Sequence, residues 1–426
     1  MVVAISVAVM ILLFALNVPI YMSLFVACSV YFLSGDASNV ILVQKMLGGV
    51  QKTSLLAIPF FIMSGTLMNY SGITKRMLKF CEMVTGHLPG GLAQVNVLLS
   101  TLMGGMSGSN IADAAMQSKI IVPEMTDTGY DLGFSAAVTG SSSLITPVIP
   151  PGIAMISYCL VANCSVGKLF LAGLTVGTLM CVTQMLIVHF VSKKRGYKPM
   201  FEKKASLREI GIAAKNSIWA LLMPVIIIGG IRSGIFTPTE AGAIAVLYAL
   251  IVGAFVYKEL TWKTLLQTLK ETAISTLSIG LIFASAASFG YIVAREQLSM
   301  RFSNWMASIV SNSTEYMFVV VFALIVIGMF MEGGPVTVIL IPLIAPIAES
   351  MGVDLIHFGI VYVLVMALGQ LTPPVGTVMF TVCNITKCEM KEYVKASIPF
   401  YIGMIVDIAL VIIFPQISLW LPNLIY

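Results

Sequence analysis

Apolar residues fill this chain in long unbroken stretches near 2–33, 54–70, 135–161, 168–191, 217–231, 239–257, 272–293, 316–331, 356–371 and 396–425. Each approaches the ~20 residues an α-helix needs to cross a hydrocarbon core, so the pattern predicts about ten spanning helices. Three shorter runs, 91–104, 336–348 and 375–385, suit half-helices or re-entrant hairpins instead. Irregular backbone at membrane depth must be buried in protein or line a cavity, which makes these the places to seek a site. Because the runs are continuously apolar, without period-two alternation, a membrane β-barrel is excluded.

Composition strengthens the reading: 58% of the 426 residues are hydrophobic and 10% charged, against roughly 25% charged in soluble domains. The formal charge of +5 is carried by loops and helix ends, so it is no nucleic-acid signal. Its densest cluster, "SKKRGYKPMFEKKASLRE" at 192–209, is cytoplasmic by the positive-inside rule, as is 258–271, which predicts an amphipathic helix on the membrane surface. The start, "MVVAISVAVM", lacks a cationic n-region and predicts a retained spanning helix rather than a cleaved leader. Seven Cys without a Cys-x-x-Cys pair and three distant His predict neither a clustered metal site nor structural disulfides.

The basic loop nearly bisects the chain, and the halves repeat. At an offset of 223, Pro123 falls on Pro346, Asp131 on Asp354, Leu132 on Leu355, Val138 on Val361, Pro150 on Pro373, Pro151 on Pro374 and Lys168 on Lys391. "LITPVIPPGIAM" and "GQLTPPVGTVMF" each carry a Thr-Pro step and a Pro-Pro pair inside an apolar run, and each must break a helix. Matching broken helices in duplicated halves are the signature of a secondary transporter, with its sites where the breaks meet. The expected fold is an all-α polytopic membrane protein built from two inverted repeats. The first, 1–210, holds a hairpin at about 86–125 and a broken helix at about 135–161. The second, 211–426, holds an arm helix at about 258–271, a hairpin at about 316–350 and a broken helix at about 356–385.

Polar knots mark the breaks. "GGMSGSNIAD" at 104–113 and "GSSSLITPVIPPG" at 140–152 lie in the first half, "GMFMEGGP" at 328–335 and "ALGQLTPPVG" at 367–376 in the second. Hydroxyl, amide and carbonyl oxygens form a neutral hard-oxygen cage suited to Na⁺, while free N–H groups at half-helix N-termini suit a carboxylate. Close packing of small residues is the competing account of any single Gly or Ser. Asp113, Glu332 and Arg295 are the ionisable residues expected at depth, where a charge signals function. Arg295 is either a fixed cation for a carboxylate or a snorkelling helix-end residue. Asp113 reads as orienting the "SGSN" loop or offsetting a cation, and Glu240, after Thr237 and Pro238, as a helix N-terminal acid.

"GGMSGSNIADAAMQSKIIVPEM", "TGSSSLITPVIPPGIAMI" and "LGQLTPPVGTVMF", in this order, resemble the large membrane subunit, DctM or SiaM type, of TRAP transporters, over essentially the whole chain. The resemblance implies an elevator-type carrier of the ion transporter superfamily in a bacterial inner membrane. It implies Na⁺-coupled uptake of an organic acid handed over by a periplasmic binding protein (DctP or SiaP type). It also implies a small membrane subunit (DctQ or SiaQ type), expected as a separate polypeptide because the two halves use up the chain. Carried onto this sequence, it places Ser107, Asn110, Ser143, Thr146 and Gly152 around one Na⁺, and Gly328, Gly369, Thr372 and Val375 around another. Ser109, Asp113 and Arg295 are placed beside the substrate.

Sialic acid is the first expectation for the cargo and a C4-dicarboxylate the second. The alternative is a dicarboxylate or citrate carrier of the same superfamily that works without a binding protein. A membrane-embedded enzyme is disfavoured because neither a His-Glu-x-x-His run nor a Gly-x-Ser-x-Gly elbow with a His partner occurs.

Overall fold

The computed structural model describes residues 2–16, 18–34 and 38–426, and every regular element among them is helical. Helices α1 (Val2–Ala15), α2 (Ile20–Ser34) and α3 (Asn39–Val50) lead into α4 (Ala57–Tyr70), α5 (Ile73–Thr85), α6 (Gly91–Ser107), α7 (Asn110–Asp127), α8 (Leu132–Ser143), α9 (Ile153–Ala162) and α10 (Val166–Arg195). Then α11 (Leu207–Arg232) and α12 (Pro238–Ile251) lead into α13 (Trp262–Arg295), α14 (Leu298–Ala307), α15 (Ser313–Gly328), α16 (Gly333–Ser350), α17 (Leu355–Leu371), α18 (Thr377–Thr386) and α19 (Met390–Ile413), followed by α20 (Gln416–Ile425). Seven of these helices are long and apolar enough to cross a membrane, extended in two cases by an adjoining short turn.

The order from α4 to α10 recurs from α13 to α19. The second hairpin arms, α7 and α16, have 18 residues each, and the helices after the breaks, α9 and α18, have 10 each. The halves exchange these parts: α7 packs on α18, α8 on α19 and α9 on α16. One bundle therefore contains the hairpins and broken helices of both halves, while α2, α3, α4, α12 and α13 pack together as a second group.

Local chemistry explains the boundaries. Ser206 with Glu209, and Thr237 with Glu240, form reciprocal capping boxes at the starts of α11 and α12, so Glu240 is a helix N-terminal acid. Asp354 caps α17 by accepting from Ile356 N (2.6 Å) and His357 N (3.3 Å). Among the described residues no disulfide forms and no group of three or more metal-ligating side chains gathers.

Three stretches differ from the sequence expectation. The run at 2–33 is two helices, parted before Pro19, whose ring cannot continue α1; position 17 in that run lies outside the described residues. The run at 396–425 parts at Pro415 into α19 and α20. The 258–271 segment is no separate surface helix. From its Thr261–Thr264 cap it continues as the first turns of α13, whose 34 residues extend about 51 Å, well past the ~30 Å hydrocarbon core.

Candidate functional site

The tip of the first hairpin is built to sit on the first break. α6 ends at Ser107, Gly108 turns the chain at φ +59°, and Ser109 caps α7 by accepting from Ala112 N at 3.4 Å. A Cβ on Gly108 would lie 2.4 Å from the Pro151 carbonyl oxygen, and one on Gly104 2.7 Å from Ile149 Cβ and 3.2 Å from the Thr146 carbonyl oxygen. Only glycine allows that approach, which brings Ser107, Thr146 and Gly152 into one neighbourhood. Ser143 lies at the end of α8 just before it, its hydroxyl donating to the Gly140 carbonyl at 2.8 Å.

The second hairpin repeats the arrangement on the second break. A Cβ on Gly369 would stand 2.6 Å from both the Cα and the carbonyl carbon of Gly328, so α15 and α17 touch backbone to backbone. Val375 N and Gly376 N donate to the Met329 carbonyl at 3.3 and 3.1 Å. The Thr372 hydroxyl donates to Leu368 O at 2.8 Å, which commits its proton and leaves its oxygen free to accept. Gly328, Gly369, Thr372 and Val375 are thus neighbours, with Val375 taking part through its backbone while its side chain is exposed.

Between the two tips lies a cavity of about 280 Å³, close to the ~300 Å³ at which small-molecule sites begin. Three helix N-termini open into it: Ser109 and Asn110 of α7, Ile153 and Ala154 of α9, Gly333 and Gly334 of α16. Ser278, Ile279, Ile282 and Phe283 of α13 close the remaining side. The tip-on-break contacts instead gather the C-terminal ends of α6, α8, α15 and α17. N–H groups with their partial positive charge face the cavity, and carbonyl ends with partial negative charge meet at the tip-on-break contacts. Glu332, exposed, is the charged side chain on the cavity wall.

Two of the three residues expected beside the substrate stand elsewhere. Asp113 is buried between α6, α7 and α8, where its carboxylate accepts from Ser100 Oγ (2.7 Å), Thr146 Oγ1 (3.1 Å) and Gln117 Nε2 (2.8 Å). Those donors explain how it is held, and it does not line the cavity. Arg295 is exposed at the end of α13, twelve residues beyond the cavity-lining Phe283 and hence roughly 18 Å away along the axis. Asn110 turns its side-chain amide to Gln370 Oε1 at 2.8 Å. Gln370, the helix α13 wall and Tyr362 were missed by sequence reasoning. Gln370 sits inside the quoted "ALGQLTPPVG", so its place beside the break was the available signal.

A larger groove of about 750 Å³ lies between α5 and α11. No broken helix ends there, and its Arg76 is engaged by Glu259 at 2.8 Å and the Tyr257 ring at 3.9 Å.

Comparison with known proteins decides the family. The family model described as "Tripartite ATP-independent periplasmic transporter, DctM component" matches residues 7–417. The chain belongs to that family. As a TRAP large permease it is a multi-pass membrane protein, and in general such permeases work with a small membrane subunit and a periplasmic binding protein. It is 39% identical over 414 residues, 97% of this chain and 96% of the relative, to the sialic acid TRAP transporter large permease SiaM of Vibrio cholerae. It is 35% identical, over 87% of this chain and 86% of the relative, to the C4-dicarboxylate TRAP transporter large permease DctM of Pseudomonas aeruginosa. In fold it resembles the crystal structure of the YdaH transporter of Alcanivorax borkumensis, with TM-score 0.65 over 87% of this chain and 86% of that chain at 12% identity.

Proposed function

We propose that this TRAP large permease carries a carboxylate inward by Na⁺ symport across a bacterial inner membrane, receiving it from a periplasmic binding protein and working beside a small membrane subunit. The observation that carries the reading is the sorting of helix ends: three N-termini, from both halves, meet around the cavity, while the C-termini at the tips crowd behind it. A cavity whose wall offers no Lys or Arg must hold an anion with backbone N–H groups and nearby cations.

Na⁺ binds first, in two cages. Ser107, Ser143, Thr146 and Gly152, with the Asn110 amide oxygen, surround one ion. Gly328, Gly369, Thr372 and the Val375 backbone surround the other. Each ion ties a hairpin tip to its break and so fixes the N-termini that face the acid, Ser109 among them. The loaded bundle then moves against the group containing α13, an elevator step in which the α13 wall of the cavity is left behind. Two Na⁺ moved with a monoanion carry one net charge, which down 100 mV releases about 2.3 kcal/mol, and with a dianion they carry none, so the Na⁺ concentration gradient supplies the rest of the accumulation of the acid.

Sialic acid is the first candidate for the cargo, supported by the identity to SiaM, and a C4-dicarboxylate the second, supported by DctM. The test is uptake of radiolabelled sialic acid and of succinate into proteoliposomes containing the permease and its small subunit, with the binding protein and an inward Na⁺ gradient added separately. Uptake that needs both is the expected result. Na⁺-driven uptake without a binding protein replaces it with the binding-protein-independent carrier reading.

A further inference from the structure

We propose that Gln370 is a substrate-binding residue, held by Asn110 so that its side-chain N–H groups face an oxygen of the carried acid. The assignment rests on the proposed symport and goes beyond it by naming a ligand to the acid and the link from that ligand to a cation cage.

The chain of orientation starts at a backbone N–H, which can only donate. Ile111 N donates to Asn110 Oδ1 at 3.0 Å, which fixes the Asn110 amide and leaves Nδ2 as its other end. Nδ2 then donates to Gln370 at 2.8 Å, so the atom it meets is Oε1. By exclusion Gln370 Nε2 faces the cavity as a double donor. It has no hydrogen-bond partner among the described residues, and it stands 3.7 Å from where a Cβ on Gly333 would lie. Gln370 Nε2 therefore adds a side-chain donor to the free N–H groups at the start of α16. An acid oxygen placed between them is met from both sides.

The pair also crosses the molecule. Asn110 opens the second arm of the first hairpin and Gln370 closes the helix before the second break, 260 residues apart in sequence, and both are buried. Asn110 Oδ1 keeps a second lone pair after accepting from Ile111 N, and the proposed first cage uses it. A Na⁺ on that lone pair holds the amide in the orientation that aims Gln370 at the acid, so cation binding reaches the acid site through two side chains.

Two substitutions separate a ligand from a latch. Gln370→Glu keeps an acceptor for Asn110 but turns a carboxylate oxygen, not a donor, toward the acid. In proteoliposomes at pH 8 it is expected to raise KM for whichever of tritiated sialic acid or succinate the wild type carries by at least tenfold, with half-saturating Na⁺ within about twofold of wild type. Asn110→Asp leaves no donor for Gln370, which flips its amide and points Oε1 at the cavity. It too raises KM for the acid, while the added charge on the cage holds or strengthens Na⁺ affinity. That pairing is the opposite of what loss of a cation ligand produces. Should Gln370→Glu fail to fold, Asn110→Asp alone decides. Wild-type KM in either folded variant overturns the assignment. A wild-type protein with no Na⁺-driven uptake of either acid removes the symport reading, and this assignment with it.

Discussion

Gly369→Ala gives the sharpest test of the second tip-on-break contact. The added Cβ would stand 2.6 Å from Gly328 Cα and from its carbonyl carbon, and 3.0 Å from its carbonyl oxygen, whereas ordinary contact begins at 3.4 Å. These are backbone atoms, so relief requires the end of α15 to withdraw by about 0.8 Å. Overpacking of this kind costs about 1–3 kcal/mol. If the cage exists only when tip and break touch, that cost falls on cation binding, and ~1.4 kcal/mol is a tenfold change. Half-saturating Na⁺ for uptake in proteoliposomes should therefore rise about tenfold or more. Gly280→Ala, on α13 with no atom near its added Cβ, should leave it unchanged. A folded Gly369→Ala protein with wild-type Na⁺ activation would refute the cage.

Asp113→Ala removes one acceptor from Ser100, Thr146 and Gln117, whose second acceptors are Ser142 Oγ, Ser100 O and Ser100 Oγ; at ~1 kcal/mol for a buried donor left partly unpaired it should lower stability by about 1 kcal/mol. Thermal unfolding in detergent checks this, and wild-type stability with a raised KM would return Asp113 to the substrate. Glu332→Gln removes the like charge from the cavity wall and should tighten the acid about two- to fivefold, for roughly 0.4–1 kcal/mol of repulsion; a weaker Kd would make Glu332 a ligand. Arg295→Gln should leave KM for the acid at its wild-type value, because the residue is exposed and far along α13 from the cavity. A tenfold rise would restore it as the counter-charge.

Sequence revealed the parts of the fold that carry hard local signals. The Pro-Pro pairs, Gly108 and the Thr237–Glu240 spelling dictate breaks, a turn and a cap from a few neighbouring residues. What it obscured depends on side-chain direction and on contacts between distant segments. Asp113 lies in the right motif and one helical turn past Asn110, yet Ser100 of α6 and Gln117 of its own helix take up its carboxylate and it does not line the cavity. Arg295 follows the apolar run at 272–293 by two residues, but the cavity wall lies three turns earlier on α13. Gln370 was hidden for the opposite reason. Its partner, Asn110, is 260 residues away, and no local pattern announces that pairing. The missing surface helix at 258–271 has the same origin, since polar spacing shows an exposed face but not whether the helix bends at the membrane.

The central claim is that Na⁺ bound in both cages moves with the acid. It is tested most directly by measuring the accumulation ratio of the carried acid at a series of fixed Na⁺ gradients and membrane potentials, with the small subunit and binding protein present. The account predicts accumulation that rises with at least the second power of the Na⁺ gradient. Accumulation that ignores Na⁺ and follows the proton gradient would contradict it.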